Sequence, residues 1–362
     1  MAIIFWGKMI SKKMKDYPFS PDISKENSFD FFRLLFAFSV FVAHFGLLTP
    51  HDTSWFPVTS GMGVGGFFII SGFLITRSYY KSKNLRDYTV KRIRRIVPAY
   101  MLIVLCCAVF LSLLSSLSLP DYFSNKDFFN YLAANVSFLN FVQPALPEVF
   151  TNNLLPYVNA SLWTIKVEIC LYAFVPILAL CIKRKPGFLF AVLYVLSFLF
   201  IWYMDILYEA SAKKIYEILS RQFFGQIRFF ISGVALLFYF DWLKRQWKWL
   251  LPVACVAFSA IYFAHLQVID FLYPFAFAVI IISSAYLFSR LKAVARFGDF
   301  SYGVYLFHFP IIQAIVHLGW FRGNPFLLFT TCFAIILLLS CLSWHLLEKR
   351  VLKRANPKTA QP

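Results

Sequence analysis

The sequence predicts an all-α, polytopic integral membrane protein with about ten transmembrane helices and both termini in the cytoplasm. Three observations support this prediction. Hydrophobic residues make up 60% of the 362-residue chain and charged residues only 14%, far from the composition of soluble domains. Many windows of about 20 residues are almost free of charge, which is the length that crosses the hydrocarbon core of a bilayer. The net charge of +18 is concentrated between these windows, as in cytoplasmic loops.

The apolar windows define the predicted spans. They are residues 30–48, 63–80, 96–117, 161–182, 188–206, 222–240, 250–266, 271–289, 299–318 and 326–346. With a cytoplasmic N-terminus, the inside segments contain 26 Lys and Arg residues and the outside segments contain 5. Because Lys and Arg collect on the cytoplasmic side of membrane proteins, this asymmetry determines the predicted topology.

The predicted domain organisation is simple. A cytoplasmic segment 1–29, with no signal peptide, precedes a transmembrane domain 30–346 and a cytoplasmic tail 347–362. Segment 118–160 is too long for a simple connection and contains an apolar stretch, 128–142. A span there would invert every later loop and destroy the charge asymmetry. We therefore predict that this segment lies outside or re-enters under cover of protein.

Several function classes are disfavoured by composition and motif content. Membrane topology accounts for the positive charge, so no nucleic-acid partner is expected. The seven cysteines all fall in apolar runs without CxxC spacing, which indicates small buried side chains rather than disulfides or a metal site. Nucleotide hydrolysis is also disfavoured, because no Walker loop is present.

The first span contains Arg33 and His44, the most informative polar pair of the chain. Ionisable residues in a membrane helix are costly and mark a functional site by default. Eleven residues are close to three helical turns, so both side chains share a face, with His44 about 16 Å further along the axis. His44 is predicted to accept a proton from a hydroxyl, and Arg33 to bind or orient a substrate. A snorkelling Arg and a packed His are the structural alternatives.

The second span is rich in glycine and contains a serine, Ser71, near the end of the glycine-rich stretch. Gly65, Gly66 and Gly72 allow close packing against another span, and close packing alone explains the glycines. Such an approach of two backbones also leaves a narrow path beside Ser71 for a slim acyl chain.

A basic loop follows, in which Arg92 and Arg95 are three residues apart at the predicted start of the third span. Most such loops act as topology signals and contact lipid headgroups. Paired guanidinium groups at a helix start also bind phosphates, helped by the helix N-terminus. A phosphate-rich cytoplasmic cosubstrate fits this pattern.

Two later spans contain further polar groups. Trp163, Glu168 and Tyr172 lie in the fourth predicted span, with Tyr172 one turn after Glu168. A lone Glu is disfavoured there unless it has a partner, and it could orient His44 or Arg33 or bind an acceptor sugar. In the ninth predicted span, Tyr305 and His308 share a polar face, either for packing or for binding substrate.

These motifs together resemble the membrane-bound acyltransferase-3 family, which includes O-acetyltransferases of O-antigen and other cell-surface polysaccharides. The resemblance extends from about Asp30 to Arg350. The shared motifs, in chain order, are Arg33-x10-His44, Phe67-Phe68-x-x-Ser71-Gly72, Arg92-x-x-Arg95, Trp163 with Glu168, and Ser301-Tyr302 through His308-Phe309-Pro310. The chain looks like the form without a C-terminal esterase-like domain. It ends its last span in Glu348-Lys349-Arg350 where the family commonly has Glu-Lys-Pro, a minor departure.

The resemblance implies transfer of an acyl group, usually acetyl from cytoplasmic acetyl-CoA, to a sugar hydroxyl in a lipopolysaccharide or other envelope glycan. It implies that Arg33 and His44 are essential and that the paired Arg92 and Arg95 take part in the reaction. Combined with the residue patterns above, this gives the hypothesis that His44 and Glu168 are catalytic and that four residues bind the donor, Arg33, Ser71, Arg92 and Arg95. The expected acceptor-binding residues are Trp163, Tyr172, Tyr305 and His308. A bacterial inner-membrane location, contact with membrane lipids and no metal are also expected.

Two questions stay open at this level. His44 can act as a general base or as a transient acyl acceptor. A proton-coupled transporter or flippase of a lipid-linked sugar is the alternative function, although inverted repeats typical of transporters are not visible in the sequence.

Overall fold

The computed structural model describes residue 23 and residues 26–182, 186–263, 267–288, 290–293 and 298–353. The described chain contains helices and turns but no β-strand, which confirms the all-α prediction. Most of the predicted segment 1–29 and the end of the predicted tail 347–362 lie outside the described residues. The helices, in chain order, are α1 (Phe29–Leu48), α2 (Ser60–Lys81), α3 (Leu85–Phe110), α4 (Leu119–Ser124), α5 (Lys126–Val136), α6 (Trp163–Cys181), α7 (Gly187–Ser211), α8 (Lys214–Ser220), α9 (Phe223–Phe238), α10 (Phe240–Phe263), α11 (Tyr273–Leu287), α12 (Ser301–His317), α13 (Pro325–Ser343) and α14 (Lys349–Lys353).

Seven helical segments of the described chain are long and apolar enough to cross a membrane, or eight if one bent pair forms a single span. They are Phe29–Leu48, Ser60–Lys81, Leu85–Leu114, Ala160–Cys181, Gly187–Ser211, Asp270–Leu287 and Pro325–Leu352. The bent pair, Lys214–Phe238 with Phe240–Tyr262, turns by 104° where two separate spans are predicted. Each predicted span coincides with helix, but the count of ten and the side of each terminus stay predictions.

The predicted start of the third helix at residue 96 is wrong. Helix α3 begins at Leu85, about three turns earlier. The side chain of Asn84 accepts a hydrogen bond from the Asp87 backbone N–H at 2.9 Å, and the Asp87 carboxylate accepts one from the Lys83 N–H at 3.0 Å. This reciprocal capping starts the helix, and Lys and Arg are good helix formers in the turns that follow.

Segment 118–160 contains only short helices, the 6-residue α4 and the 11-residue α5. Neither is long enough to cross a membrane, because a span needs about 20 residues. The hydroxyl of Tyr122 donates to the Ala108 carbonyl at 2.9 Å, and that of Tyr100 donates to the Asn135 carbonyl at 2.8 Å. These buried contacts hold the segment against α3.

The described residues form two compact units. The first contains the described residues of 1–33, 64–89 and 167–296, and the second contains those of 34–63, 90–166 and 297–362. The division cuts through helices α1, α2, α3 and α6, each of which contributes residues to both units.

Glycine packing organises the first unit. A β-carbon on Gly72 of α2 would collide with the carbonyl oxygen of Phe230 in α9, and one on Gly233 of α9 would collide with that of Ile69. Gly65 lies against the ring of Phe229. The prediction that the glycines of the second span pack closely against another helix is therefore confirmed for Gly65 and Gly72.

Aromatic packing organises the second unit. Phe41 of α1 stacks on Phe333 of α13 at 5.7 Å between centroids, and Phe45 meets Phe329 edge-on at 5.1 Å. Helix α12 approaches α13 closely at Gly303, where a β-carbon would lie 2.8 Å from the Ser340 backbone. These contacts hold α1, α12 and α13 together and place their polar residues in register.

Candidate active site

His44 and His308 form a direct pair in the second unit. Nδ1 of His44 lies 2.8 Å from Nε2 of His308, and the two rings stack with centroids 5.0 Å apart. His308 has no exposed surface, whereas His44 is half-buried. Phe309 packs edge-on against His44 at 5.2 Å and limits its ring orientation. Two residues 264 positions apart thus form one imidazole centre.

The hydrogen bonds determine which nitrogen of each ring bears the proton. Nδ1 of His308 lies 3.2 Å from the Val304 carbonyl oxygen. A carbonyl oxygen only accepts, so Nδ1 of His308 must donate, and Nε2 of the neutral ring is an acceptor. Nδ1 of His44 then donates to His308, which leaves the lone pair of His44 on Nε2. The half-buried ring of the pair therefore has the nitrogen that can take a proton.

A second layer of polar groups lies beside the imidazole pair. The Tyr305 hydroxyl lies 2.6 Å from the Thr164 hydroxyl and donates to the Ser161 carbonyl at 3.1 Å. The Asn159 amide donates to the Leu306 carbonyl at 2.9 Å. These bonds anchor α12 next to His308, so that Tyr305 and His308 are held in buried positions by protein partners.

Glu168 is the centre of a different cluster, in the first unit. The hydroxyl of Ser71 lies 3.4 Å from Oε1 of Glu168, and the hydroxyl of Tyr172 donates to the same oxygen. The backbone carbonyl of Tyr172 in turn accepts from Tyr88 at 2.8 Å. Glu168 forms no ion pair within the described residues. The structure thus unites three predicted site residues, Ser71, Glu168 and Tyr172, around one carboxylate.

Arg95 is the centre of an ion-pair cluster in the second unit. Its guanidinium lies 2.5 Å from the carboxylate of Asp299 and 3.6 Å from that of Glu348. Glu348 is only 3% exposed and accepts a hydrogen bond from Ser343 at 3.0 Å. The guanidinium also lies over the ring of Tyr302, 5.5 Å from the centroid. Two carboxylates thus compete with any phosphate for Arg95.

The earlier start of α3 changes the setting of the arginine pair. Arg92 and Arg95 lie two to three turns inside the helix, so the predicted assistance from a helix N-terminus is wrong. Their role in donor binding itself stays a prediction. Arg33 pairs with Asp30 one turn earlier on α1 at 3.6 Å, and Trp163 is half-buried in the first turn of α6.

Sequence reasoning missed the partners of these groups. Asp299 and Glu348 were not predicted site residues. No local sequence pattern indicates either contact, because Asp299 and Glu348 both lie more than 200 residues from Arg95 in the sequence. Glu348 also lies in a π-helical turn, Trp344–Glu348, that brings its carboxylate back to Ser343.

Comparison with known proteins identifies the family of this chain. A model of the acyltransferase domain matches residues 26–345, nearly the whole chain. The chain belongs to the acyltransferase-3 family. It is 27% identical over 347 residues to the O-acetyl transferase of Shigella phage Sf6, covering 92% of this chain and 98% of the phage protein.

Other relatives have different lengths. Nodulation protein 10 of Rhizobium leguminosarum bv. viciae is 26% identical, covering 90% of this chain and 93% of that protein. O-acetyltransferase OatA of Staphylococcus aureus strain NCTC 8325 / PS 47 is 23% identical, covering 74% of this chain but 48% of OatA. No solved structure matches the chain. The acyltransferase-3 match and the apolar helices together indicate an integral membrane protein.

Proposed function

We propose that this acyltransferase-3 protein is a membrane O-acyltransferase that transfers an acyl group, with acetyl as the expected case, from cytoplasmic acyl-CoA to a hydroxyl of a cell-surface or lipid-linked glycan. The His44–His308 pair is the observation that supports it most. A half-buried imidazole whose other nitrogen is occupied by a buried partner is suited to remove a proton from a hydroxyl. The phage and staphylococcal relatives are O-acetyltransferases by name, which supports O-acetyl transfer.

The proposed chemistry begins at Nε2 of His44. It takes the proton of the acceptor hydroxyl while that oxygen attacks the thioester carbonyl. The carbon–sulfur bond breaks, and the imidazolium returns its proton to the departing CoA thiolate, so the products are an O-ester and free CoA. In the alternative route, Nε2 attacks the thioester carbonyl first, the carbon–sulfur bond breaks, and CoA leaves as a thiolate from an acyl-imidazole. The sugar hydroxyl then attacks the acyl carbon, the carbon–nitrogen bond breaks, and the hydroxyl proton passes to the thiolate, so the products are again an O-ester and free CoA.

His308 acts on this step through His44. Its acceptor nitrogen holds the Nδ1–H of His44 and stabilises the positive charge that forms on the ring, as the third member of a catalytic triad does for its histidine. The burial of His308 and Tyr305 favours positioning over direct acceptor contact. In this proposal Trp163 and Tyr172 are the remaining predicted contacts of the acceptor.

Glu168 provides a fixed negative charge in the proposed mechanism. The hydroxyls of Ser71 and Tyr172 both converge on Oε1 of Glu168 and orient its carboxylate. Ser71, Arg33, Arg92 and Arg95 are the proposed donor-binding residues, and the three arginines are the proposed partners of its phosphates.

The test uses membranes that contain the full-length protein, given acetyl-CoA labelled in the acetyl group. The proposal predicts label in the glycan fraction as an ester that hydroxylamine releases. Glycan that crosses the membrane without any consumption of acetyl-CoA would contradict the proposal and support the flippase alternative.

A further inference from the structure

A cavity of about 390 Å³ lies at the C-terminal ends of α1 and α12, within the second unit. Thr49, which follows α1, and His317, the last residue of α12, are both in its lining. Thr49 is five residues beyond His44, and His317 is nine beyond His308. The cavity is therefore about 8 to 14 Å from the imidazole pair along the two helices.

The lining combines three segments that are far apart in the sequence. They are residues 49–51, 152–153 and 316–322, together with Leu328. With a cytoplasmic N-terminus, the predicted outer segments are 49–62, 118–160, 207–221, 267–270 and 319–325. The lining of the cavity includes residues of three of these five segments, 49–62, 118–160 and 319–325. In the predicted topology this is the side from which an envelope glycan arrives.

The side chains of the lining are suited to a sugar with a negative charge. Trp320 is 48% exposed and offers an apolar ring face to the C–H face of a saccharide. Arg322, His51 and His317 are hydrogen-bond donors, and the lining contains no carboxylate. Within the described residues Arg322 forms no ion pair. A planar guanidinium without a partner is suited to hold a carboxylate or phosphate with two parallel hydrogen bonds.

The segment that presents Trp320 and Arg322 has an unusual backbone. Gly319 and Phe321 adopt left-handed conformations, with φ values of +68° and +57°. The guanidinium of Arg322 packs over the α-carbon of Gly319, where a β-carbon would lie 3.0 Å from Nε. Left-handed backbone at a bulky residue such as Phe321 costs free energy and is concentrated at functional sites.

The opposite wall of the cavity is held by buried hydrogen bonds. The Asn153 amide donates to the side chain of Gln313 at 2.8 Å and to its backbone carbonyl at 3.0 Å. Gln313 has no exposed surface and donates to the Leu155 and Tyr157 carbonyls at 2.6 and 2.8 Å. The ring of Phe150, itself at φ +61°, lies 5.7 Å from His317. Both walls are therefore preformed, as a binding site requires.

We infer that this cavity is an acceptor subsite that binds a saccharide unit bearing a carboxylate or phosphate, next to the unit that is acylated. Arg322 pairs with the anionic group, and Trp320 packs on the ring. The inference rests on the proposed function for the identity of the ligand as the acyl acceptor. Binding itself needs no acyl donor, so the two claims can fail separately.

The experiment measures binding of the full-length protein in lipid nanodiscs, without acyl-CoA, to a printed array of bacterial envelope oligosaccharides. The array holds matched pairs with and without a uronate or phosphate. The wild type is expected to bind acidic members about tenfold more tightly than their neutral counterparts, the ordinary size of one charge-assisted contact. Arg322→Gln is expected to lose this preference, and Trp320→Ala to weaken both classes about tenfold.

Matched variants separate the possible outcomes. Arg350→Gln removes an exposed arginine from α14 and is expected to keep the wild-type pattern. His44→Ala is expected to bind as the wild type does, because it affects transfer and not the subsite. Equal binding of acidic and neutral glycans, or an unchanged preference in Arg322→Gln, would overturn the subsite. Intact binding by a wild type that transfers no acyl group would instead overturn the proposed function.

Discussion

The imidazole cluster of His44 and His308 and the carboxylate cluster around Glu168 differ in how their hydrogen bonds are directed. In the imidazole cluster, His44 donates to His308 and His308 donates to the Val304 carbonyl, and the series begins at a nitrogen with a lone pair. In the carboxylate cluster, the hydroxyls of Ser71 and Tyr172 converge on one oxygen of Glu168. Under the proposed function, the first arrangement suits a base and the second a fixed carboxylate. The proposal therefore assigns proton transfer to the imidazole cluster and charge stabilisation to the carboxylate cluster.

Among changes to the partners within the two clusters, removal of the buried His308 imidazole should lower kcat the most. His308→Ala leaves the Nδ1–H of His44 without its acceptor, and we expect kcat to fall about 100-fold, as for outer partners of other functional histidines. The measurement is labelled acetyl transfer by membranes with matched protein levels. His308→Gln, whose amide oxygen can accept the same bond, should recover part of the rate. Wild-type kcat in His308→Ala would remove the imidazole cluster from the mechanism.

Loss of the Glu168 charge should give the second-largest fall in kcat. Glu168→Gln keeps an acceptor for Ser71 and Tyr172 but removes the charge, and we expect kcat to fall about tenfold to 100-fold. Glu217→Gln is the matched control, since that exposed carboxylate pairs only with the exposed Arg221. An unchanged kcat with an unchanged KM for acetyl-CoA would show that the carboxylate cluster is structural.

The ion-pair cluster should affect stability more than rate. Arg95→Gln leaves the buried Glu348 without its cation, at a cost of about 3 kcal/mol. The apparent melting temperature of the detergent-purified protein should therefore fall, whereas Arg350→Gln should leave it unchanged. Adding Glu348→Gln to Arg95→Gln should recover part of the loss. An unchanged melting temperature would contradict this stabilising role of the ion pair, whereas a raised KM for acetyl-CoA beside the lower melting temperature would show that Arg95 also binds the donor phosphates.

The outer hydrogen bonds of the imidazole cluster should have the smallest effect. Tyr305→Phe removes a hydroxyl that contacts Thr164 and the Ser161 carbonyl, with an expected loss of about 1 kcal/mol of stability. Activity should change only a few-fold, because His308 keeps its bond to Val304. A loss of kcat as large as that of His308→Ala would assign Tyr305 a direct role instead.

The positions of the helices were largely predictable because the thickness of the bilayer requires an apolar run of about 20 residues for each span. The prediction of 30–48 for the first span agrees closely with α1 at Phe29–Leu48, since a run of apolar residues of that length has few other solutions. Glycine spacing at Gly65 and Gly72 likewise indicated close packing. The start of α3 was missed because the charge of residues 85–95 was interpreted as loop, although Asn84 and Asp87 formed a visible capping pattern.

The pairings within the sites were not predictable from local pattern. His44 and His308 each appeared as a candidate, but nothing in either helix indicates that one imidazole bonds to the other. Glu348 bonds to Arg95 because a π-helical turn redirects its side chain, and sequence spacing for an α-helix gives no sign of it. The cavity is formed by three separate loops, whose convergence depends on the packing of α1 and α12.

The most direct test of the account is the single-turnover rate of acetyl transfer by purified full-length protein, with wild type and His44→Ala compared at saturating acetyl-CoA and glycan. A general base or acyl acceptor at His44 predicts a fall of at least about 100-fold. His345→Ala, which removes an exposed imidazole from the π-helical turn Trp344–Glu348, should keep the wild-type rate. A His44→Ala rate within a few-fold of wild type would contradict the central claim.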